Sequence, residues 1–463
     1  MTHAEDLTLD QALDRIGIGR FQIKLMVVAG ASWAADAMEV LLISFAIPPL
    51  MRDWGLSRTE AGLLGTALFV GMMCGAWGWG AISDRIGRRP GFVLTILIDS
   101  LFGLLSAFAP GYRILLLLRA LTGFGIGGTL PVDYAITSEF LPRQVRGRWL
   151  VYLESFWAVG TLIAAGLAWL IVPRFPEAGW RLLFAASALP GLIVVWVRRV
   201  IPESPRYLLV QGREAEARAV VERVARENGV DLGAFRLKAE PAAAEQARIP
   251  LAMLFRAPLL KPTLVFSAVW FLLSLAYYGI FTWLPGIFVQ RGFDFLRTYQ
   301  NSFILALAQL PGYFSAAFLI ERWGRRKTLA AYLIASGIFT YLFAAASGLP
   351  AILAAAVLMS FFALGAWGSL YAWTPESYPT TVRATGMGWA SAMARVAGIV
   401  APTLGAALLA ASLPLALSVY AAAFGLAGII SLAGRETRGV ALADTATELT
   451  QAARVGPPLA SRR

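Results

Sequence analysis

Twelve long apolar stretches dominate the chain, and short polar connections separate them. Most of them hold about the 20 apolar residues that a helix needs to cross a bilayer. Their apolar positions do not alternate with polar ones, so they predict membrane helices rather than the strands of a barrel. We therefore predict an all-α membrane protein with twelve transmembrane helices. The stretches cover residues 22–50, 60–82, 91–109, 112–136, 149–172, 181–200, 262–289, 299–320, 328–347, 350–373, 385–410 and 413–433.

Two polar signatures occur twice in the chain, at the same offset in both cases. Asp84–Arg89 returns as Glu321–Arg326. A shared offset indicates two copies of one six-helix unit, which is the usual architecture of a secondary transporter. The second signature contains a glutamate, a proline, a valine and an arginine, and its two copies are Glu139, Pro142, Val145 and Arg146, and Glu376, Pro379, Val382 and Arg383.

The duplication predicts two pseudo-symmetric six-helix bundles, at residues 1–200 and 262–434. Residues 201–261 form the long connection between them. Opposite charges at helical spacing within it, such as Glu222 and Arg226, predict a cytoplasmic linker with short helices. Residues 435–463 are predicted to be a polar cytoplasmic tail.

The distribution of charge predicts orientation rather than a nucleic-acid partner. The net charge is +12 while 58% of the residues are hydrophobic, and the basic residues concentrate in alternate short connections. Short loops rich in Lys and Arg stay cytoplasmic. We therefore predict a monomeric multi-pass protein of the bacterial inner membrane, with both termini in the cytoplasm. The single histidine (His3) and single cysteine (Cys74) leave no His-based metal site and no intrachain disulfide, so we expect neither metal nor cofactor.

The repeated signatures predict tight turns between helices. Glycine permits such a turn, while the acid can cap a neighbouring helix and pair with arginine. This chemistry suits gating rather than substrate binding. The glycines of Gly123–Gly128 match a dinucleotide-binding pattern, but they lie inside a span with no strand before them and predict close helix packing. The gating candidates are Asp84, Arg88, Glu139, Arg146, Glu321, Arg325, Glu376 and Arg383.

Charged residues inside the predicted spans mark a coupling site, because such groups are costly in a membrane. Asp36 and Glu39 share one face of the first span, since they are three residues apart. Arg119 lies in the fourth span, at a depth similar to that of Asp36 and Glu39 in the first. Two carboxylates carry one more charge than a single guanidinium can neutralise. Because burial favours protonation of the remaining acid, the three residues predict proton coupling. The alternative is a static ion-pair network.

Three further acids fall inside the N-terminal spans. Asp99 is an alternative partner for Arg119, although we expect it nearer the cytoplasmic side. Asp133 and Glu154 are expected close to the inner ends of their spans. We interpret these two as local pairing or gate residues.

Arg395 is the ionisable residue deepest inside a predicted span of the C-terminal half. No acid of that half falls at the same depth in the sequence. We therefore expect its counter-charge to arrive with an anionic substrate, which a planar guanidinium can hold bidentately. The alternative is pairing with Asp36 or Glu39 of the other half.

Aromatic residues fall at a similar level in several spans. Flat rings with polar edges suit a small aromatic solute. Taken singly, each is equally compatible with helix packing or with an interfacial belt. The candidates for contact with the substrate are Trp157, Tyr277, Tyr278, Trp367 and Tyr371.

A family resemblance rests on these motifs. The Asp84–Arg89 signature and its copy, the Arg119…Gly123-x-Gly125 pattern and Pro202–Arg206 together resemble the major facilitator superfamily, on its sugar-porter and organic-ion side. The match covers roughly residues 20–435. Within the superfamily, Trp33–Glu39 and Tyr277-Tyr278-Gly279 are similar to bacterial nicotinate transporters and to the related synaptic vesicle glycoproteins.

The narrower resemblance implies roles for individual residues. It ties Asp36, Glu39 and Arg119 to transport and assigns Arg395 as the basic residue of the eleventh span. Tyr371 stands where some relatives carry an acid, which favours an anion over a cation. The implied aromatic ligand pocket comprises Trp157, Tyr277, Tyr278 and Trp367.

The combined prediction is a secondary active transporter for proton-coupled uptake of a small aromatic carboxylate, most simply nicotinate, by alternating access. One alternative is an uncoupled, or differently coupled, facilitator of another organic ion or of a sugar. A second is a receptor that binds substrate without transporting it. We predict no enzyme, because the sequence offers no P-loop, no His-based metal motif and no recognisable nucleophile–base pair.

Overall fold

The computed structural model describes residues 5–143, 145–237, 251–379 and 382–438. Residues 238–250 of the predicted linker and 439–463 of the predicted tail lie outside these ranges. In chain order the helices are α1 (Leu9–Ile16), α2 (Arg20–Trp54), α3 (Arg58–Ile86), α4 (Arg88–Ser106), α5 (Tyr112–Ser138), α6 (Arg146–Ile171), α7 (Gly179–Ala186), α8 (Ile193–Val200), α9 (Pro205–Val210), α10 (Glu214–Glu227), α11 (Leu260–Gln290), α12 (Phe295–Trp323), α13 (Arg325–Ala345), α14 (Leu349–Glu376), α15 (Arg383–Ala411) and α16 (Leu413–Ser431).

Twelve helical segments within the described ranges are long and apolar enough to cross a membrane, as the sequence predicts. The sixth, Gly179–Val197, is built from α7, a 3-10 helix at Leu189–Leu192 and most of α8. Large apolar side chains project outward from the spans: Trp77 is 73% exposed and Phe314 is 66% exposed. Such a surface suits contact with lipid tails rather than with water.

Packing divides the chain into two compact units. The first unit comprises Met1–Ala46 and Ala67–Ala247, and the second comprises Ile47–Thr66 and Arg248–Arg463. In the second unit, α13 packs on α14 and α16, α12 packs on α14, and α11 packs on α15 and α16. These contacts place the helix that carries Tyr277 beside the helix that carries Arg395.

Glycines bring helices of the first unit into close contact. A Cβ at Gly123 of α5 would overlap the carbonyl oxygen of Leu68 in α3, and a Cβ at Gly127 would overlap that of Met72. Small residues allow this approach where larger side chains would hold the helices apart. The prediction that this glycine-rich stretch is a helix-packing surface is confirmed.

The N-terminal segment packs on the linker of the same unit. Strand β1 (Glu5–Leu7) pairs in parallel with β2 (Phe235–Leu237), an addition to the predicted all-helical chain. Thr8 and Gln11 form a capping box that begins α1. The apolar face of α1 is buried in one cluster with Val221 and Val224 of α10. Residues 5–16 therefore pack as part of the first unit.

Asp10 joins this segment to two neighbouring loops. Its carboxylate accepts hydrogen bonds from Arg143, from Nη2 of Arg146 at 3.1 Å and from Nη2 of Arg206 at 3.0 Å. Burial alone would raise the pKa of Asp10, but the three guanidinium groups outweigh it and lower the pKa to about 2. The ion cluster therefore stabilises α1 at any pH well above that value.

We predict that Asp10→Asn loosens α1 without unfolding the rest of the unit. Because the pKa of Asp10 falls from 3.8 to about 2 on folding, the charge contributes about 2 kcal/mol above pH 4 and loses it as the pH falls towards 2. Hydrogen–deuterium exchange of the α1 amides should accelerate about 30-fold by local opening. The increase should be the same at pH 5 and pH 8. Asp6→Asn, at an exposed position of β1, is the control, and an effect that vanishes at pH 5 would contradict the assignment.

Candidate functional site

Arg119 is the centre of a buried charged group in the first unit. Its side chain is fully buried, and Nη1 donates to Oε2 of Glu39 at 3.2 Å. Nη2 donates to the hydroxyls of Ser106 at 2.7 Å and Thr122 at 3.0 Å. The guanidinium also lies 4.4 Å from the ring centroid of Phe184. The predicted pairing of the first and fourth spans is therefore present.

Three carboxylates share the surroundings of this one arginine. Asp36 is 2% exposed, and it lies on the same face of α2 as Glu39. Asp99 of α4 is 1% exposed and within charge-interaction range of Asp36, Glu39 and Arg119. Asp99 therefore lies close to Arg119, in agreement with its prediction as an alternative partner of that arginine. Three carboxyl groups therefore share one guanidinium, so the group would hold an excess of negative charge if all three were ionised.

Trp157 belongs to an aromatic wall in the same unit. Its ring lies 5.5 Å from the ring of Trp33, which in turn lies 6.2 Å from the ring of Tyr134. Trp157 is partly exposed, whereas Trp33 is only 4% exposed and supports it from behind. Sequence reasoning left Trp33 unassigned, although it stands in the same motif as Asp36. Trp157 therefore has a free edge or face for a ligand and a rigid support.

The second unit contains a larger aromatic group. The rings of Tyr277 and Tyr278 meet edge to face at 5.4 Å, and Trp367 lies 6.0 Å from Tyr277. Tyr371 lies 5.8 Å from Trp367. Four of the five predicted aromatic contacts, all those of the second unit, are therefore brought together.

Burial separates these side chains into two roles. Tyr277 and Trp367 are 1% and 7% exposed, while Tyr278 and Tyr371 are partly exposed. Trp270, which the sequence left unassigned, packs on Trp367 at 5.5 Å and on Tyr371 at 4.8 Å. The buried rings hold the exposed ones in place, an arrangement that preorganises a binding surface.

Arg395 lies in α15 with 8% exposure. Its Nη1 donates to the carbonyl oxygen of Ser391 at 3.1 Å and to the Ser391 hydroxyl at 3.2 Å, one turn earlier in the helix. These bonds hold one edge of the guanidinium fork against its own helix. A positive charge is therefore retained deep within a predicted span.

The repeated signatures form two hubs of ion pairs, one in each unit. In the first unit, Arg88 bonds Asp84, and its Nε lies 3.8 Å from Glu139. Burial raises the pKa of Glu139, while a bond from Ser204 and the charges of Arg88 and Arg206 oppose that rise. Arg146 does not join this hub and instead bonds Asp10.

The second unit repeats the hub with matching residues. Arg325 lies 3.1 Å from Glu321 and 3.0 Å from Glu376. Gly324, like Gly87 in the first unit, has a positive φ that only glycine adopts easily, at 94° and 109° respectively. Arg383 donates from Nε to the carbonyl oxygen of Pro375 at 2.9 Å.

Each hub includes a helix cap that sequence reasoning missed. Glu203 accepts bonds from the backbone N–H of Arg88 at 3.0 Å and of Arg89 at 3.2 Å. Glu436 does the same for Arg325 at 2.9 Å and Arg326 at 3.2 Å. The neighbouring Thr437 donates to Glu376 at 2.5 Å. The sequence signal that could have revealed these caps is a Glu followed by a hydroxyl residue, Glu-Ser at 203–204 and Glu-Thr at 436–437.

The fold is that of the major facilitator superfamily. The chain superposes on the inward-open structure of the xylose transporter XylE from E. coli with a TM-score of 0.71 and 17% identity, covering 93% of this chain and 99% of that one. The predicted class, an all-α protein of twelve spanning helices in this superfamily, is therefore confirmed.

The family model described as Sugar (and other) transporter matches residues 29–443, and the chain belongs to this family of membrane transporters. It is 40% identical over 396 residues to the niacin transporter NiaP of Acinetobacter baylyi, covering 86% of this chain and 89% of that protein. It is 38% identical over 420 residues to the putative niacin/nicotinamide transporter NiaP of Bacillus subtilis, covering 90% and 97%. The predicted resemblance to bacterial transporters of this kind is confirmed.

Proposed function

We propose that the protein is a proton-coupled symporter that takes up nicotinate or a closely related pyridine carboxylate. The observation that carries the proposal is the aromatic group of the second unit on helices that pack with α15, the helix of Arg395. The names of the two bacterial relatives support the same substrate class. We further propose a monomer in the bacterial plasma membrane with both termini in the cytoplasm.

The substrate carboxylate would bind the guanidinium of Arg395. Two parallel N–H···O bonds from a planar fork suit a carboxylate better than a sugar hydroxyl or a neutral amide. The pyridine ring would lie against the partly exposed rings of Tyr278 and Tyr371, with Tyr277 and Trp367 behind them.

The proton would bind in the Arg119 group. Glu39 is hydrogen-bonded to Arg119, which favours its ionised form. Asp36 would take up the proton, because Asp99 close by adds a further carboxyl group that the single Arg119 cannot also neutralise. The two hubs would act as gates. Loss of the ion pairs between Arg88 or Arg325 and their carboxylates would free the helix ends that these ion pairs join.

Counterflow in proteoliposomes tests the proposal. Vesicles loaded with unlabelled nicotinate should accumulate labelled nicotinate from outside, because a carrier exchanges one for the other. External pyridine carboxylates should compete, whereas nicotinamide and xylose should compete weakly. Equal competition by nicotinamide would argue against a carboxylate site, exchange of labelled xylose would favour a sugar facilitator, and binding of nicotinate without exchange would favour a receptor.

A further inference from the structure

Two buried acids of the first unit stand apart from the Arg119 group. Asp133 of α5 is fully buried, and Glu154 of α6 is 4% exposed. The two carboxylates lie within charge-interaction range of each other. Thr137 donates to Oδ1 of Asp133 at 3.3 Å. Among the described residues, Oδ2 of Asp133 and Oε1 of Glu154 make no hydrogen bond.

The charge balance around this pair is negative. No salt bridge in the described part of the chain includes either acid. Basic side chains on the packed helices serve other contacts: Lys24 of α2 pairs with Glu227, Arg88 of α4 with Asp84 and Arg119 of α5 with Glu39. Arg181 of α7 donates to the carbonyl oxygens of Ala107 and Ala109. Arg148 and Tyr152 of α6 are exposed, and the Tyr134 phenol beside Asp133 makes no hydrogen bond among the described residues. The other buried acids of these helices are Asp36, Glu39 and Asp99, which belong to the Arg119 group.

Physical chemistry limits the charge that the pair can hold. Burying one carboxylate without a cation is expensive, and burying two that repel each other is more so. The pair must therefore keep at least one proton while it is buried. A proton neutralises one carboxylate without any further ligand, whereas a metal ion needs several, and no group of three or more His, Cys, Asp or Glu that could hold one is present among the described residues.

A third polar group points to the same place. Trp33 is 4% exposed, and its indole Nε1 makes no hydrogen bond among the described residues. Its N–H nevertheless lies close enough to Glu154 to interact with the carboxylate. Trp33 also packs on Trp157, which lies one turn after Glu154 in α6. A change at Trp157 would therefore alter the donor that faces Glu154.

We propose that Asp133 and Glu154 form a second proton-binding site, next to the Trp33–Trp157 wall, whose proton crosses the membrane with the substrate. The proton would arrive as H⁺ from water on one side, form an O–H bond on a carboxylate oxygen of the pair, and leave as H⁺ on the other side. This inference rests on the proposed function, and it adds a coupling residue, Glu154, in place of the local pairing or gate role expected from the sequence.

The test compares two measurements on the full-length protein in proteoliposomes, with nicotinate as the probe. Counterflow at equal pH needs substrate binding and conformational exchange only. Accumulation driven by an inward proton gradient also needs proton movement, which an internal pH dye records. A gradient of one pH unit supports about tenfold accumulation for each proton carried per substrate, so two proton sites support about 100-fold and one site about tenfold.

We expect Glu154→Gln and Asp133→Asn to retain counterflow, to lower gradient-driven accumulation from about 100-fold to about tenfold at one pH unit, and to halve the proton influx per substrate. Glu214→Gln, an exposed acid of α10, is the matched control and should behave as the wild type in both measurements. Trp33→Phe keeps an aromatic ring but removes the N–H. It should retain counterflow and shift the pH at which uptake is half-maximal.

Each other outcome decides the question. Wild-type accumulation by both acid variants would overturn the inference. If neither acid variant assembles, as judged by size-exclusion chromatography, an unchanged pH profile of Trp33→Phe would overturn it. Absence of nicotinate counterflow in the wild type would instead overturn the proposed function. Nicotinate counterflow by the wild type, combined with no proton influx during uptake under an inward proton gradient, would leave nicotinate transport standing and remove the second proton site.

Discussion

Replacing Arg119 with leucine is expected to destabilise the protein by roughly 3–5 kcal/mol and to abolish uptake. The guanidinium is fully buried and bonded to Glu39, so its removal leaves carboxylates of the group in the interior without their cation. Arg119→Lys keeps the charge but cannot reach Glu39, Ser106 and Thr122 together. It should be more stable than the leucine variant and still transport poorly. Thermal unfolding in detergent and proton-driven uptake measure the two effects.

A double-mutant cycle separates the ion pair from the packing of the arginine. Glu39→Gln removes one of the facing charges, so the double variant with Arg119→Leu should recover part of the stability that Arg119→Leu loses. Arg113→Leu, at an exposed position of the same helix, is the matched control. Equal melting temperatures for the Arg119 and Arg113 variants would show that the buried pair does not stabilise the fold.

The helices could be predicted from the sequence because each span is a local feature. Length and apolar composition are enough to mark a membrane crossing, and tertiary contacts change only its ends. The sixth span shows the limit. It was predicted as one helix over 181–200, but it contains a 3-10 helix at Leu189–Leu192 with Pro190 near its start. Proline removes a backbone donor there, so the helix cannot continue unchanged.

The Arg119 group could be predicted only in part. Equal depth in two spans suggested that Asp36 and Glu39 meet Arg119, since depth follows from position along a helix. Asp99 joins because α4 approaches α5 closely: a Cβ at Gly125 would lie 2.6 Å from the Asp99 nitrogen. The rotation and spacing of packed helices depend on such contacts, and no local pattern in α4 reveals them.

The two ion-pair hubs and the bonds of Asp10 show the same limit at longer range. Repetition at one offset identified Arg88, Arg325 and their carboxylates. Glu203 and Glu436 repeat at a different offset, because the segments before them differ in length, so a search at the first offset misses them. The bonds of Asp10 join residues far apart in the chain, and only folding of the N-terminal segment onto the linker creates them.

Replacing Arg395 with alanine is expected to weaken nicotinate binding by about 10- to 100-fold, the loss of charge-assisted hydrogen bonds to one carboxylate. Arg395→Lys keeps the charge without the bidentate geometry and should fall between alanine and wild type. Binding of nicotinamide, which lacks the charge, should change much less. Isothermal titration of detergent-purified protein with both compounds measures this difference.

The matched control is Arg297→Ala, which removes an exposed arginine of the same unit that pairs with Asp294 near the start of α12. It should leave nicotinate affinity unchanged. If the substrate carboxylate binds elsewhere, the Arg395→Ala and Arg297→Ala variants should bind nicotinate with equal affinity. Arg395 would then be a structural residue of α15, held by Ser391, and the selectivity for an acid would have to come from another basic group.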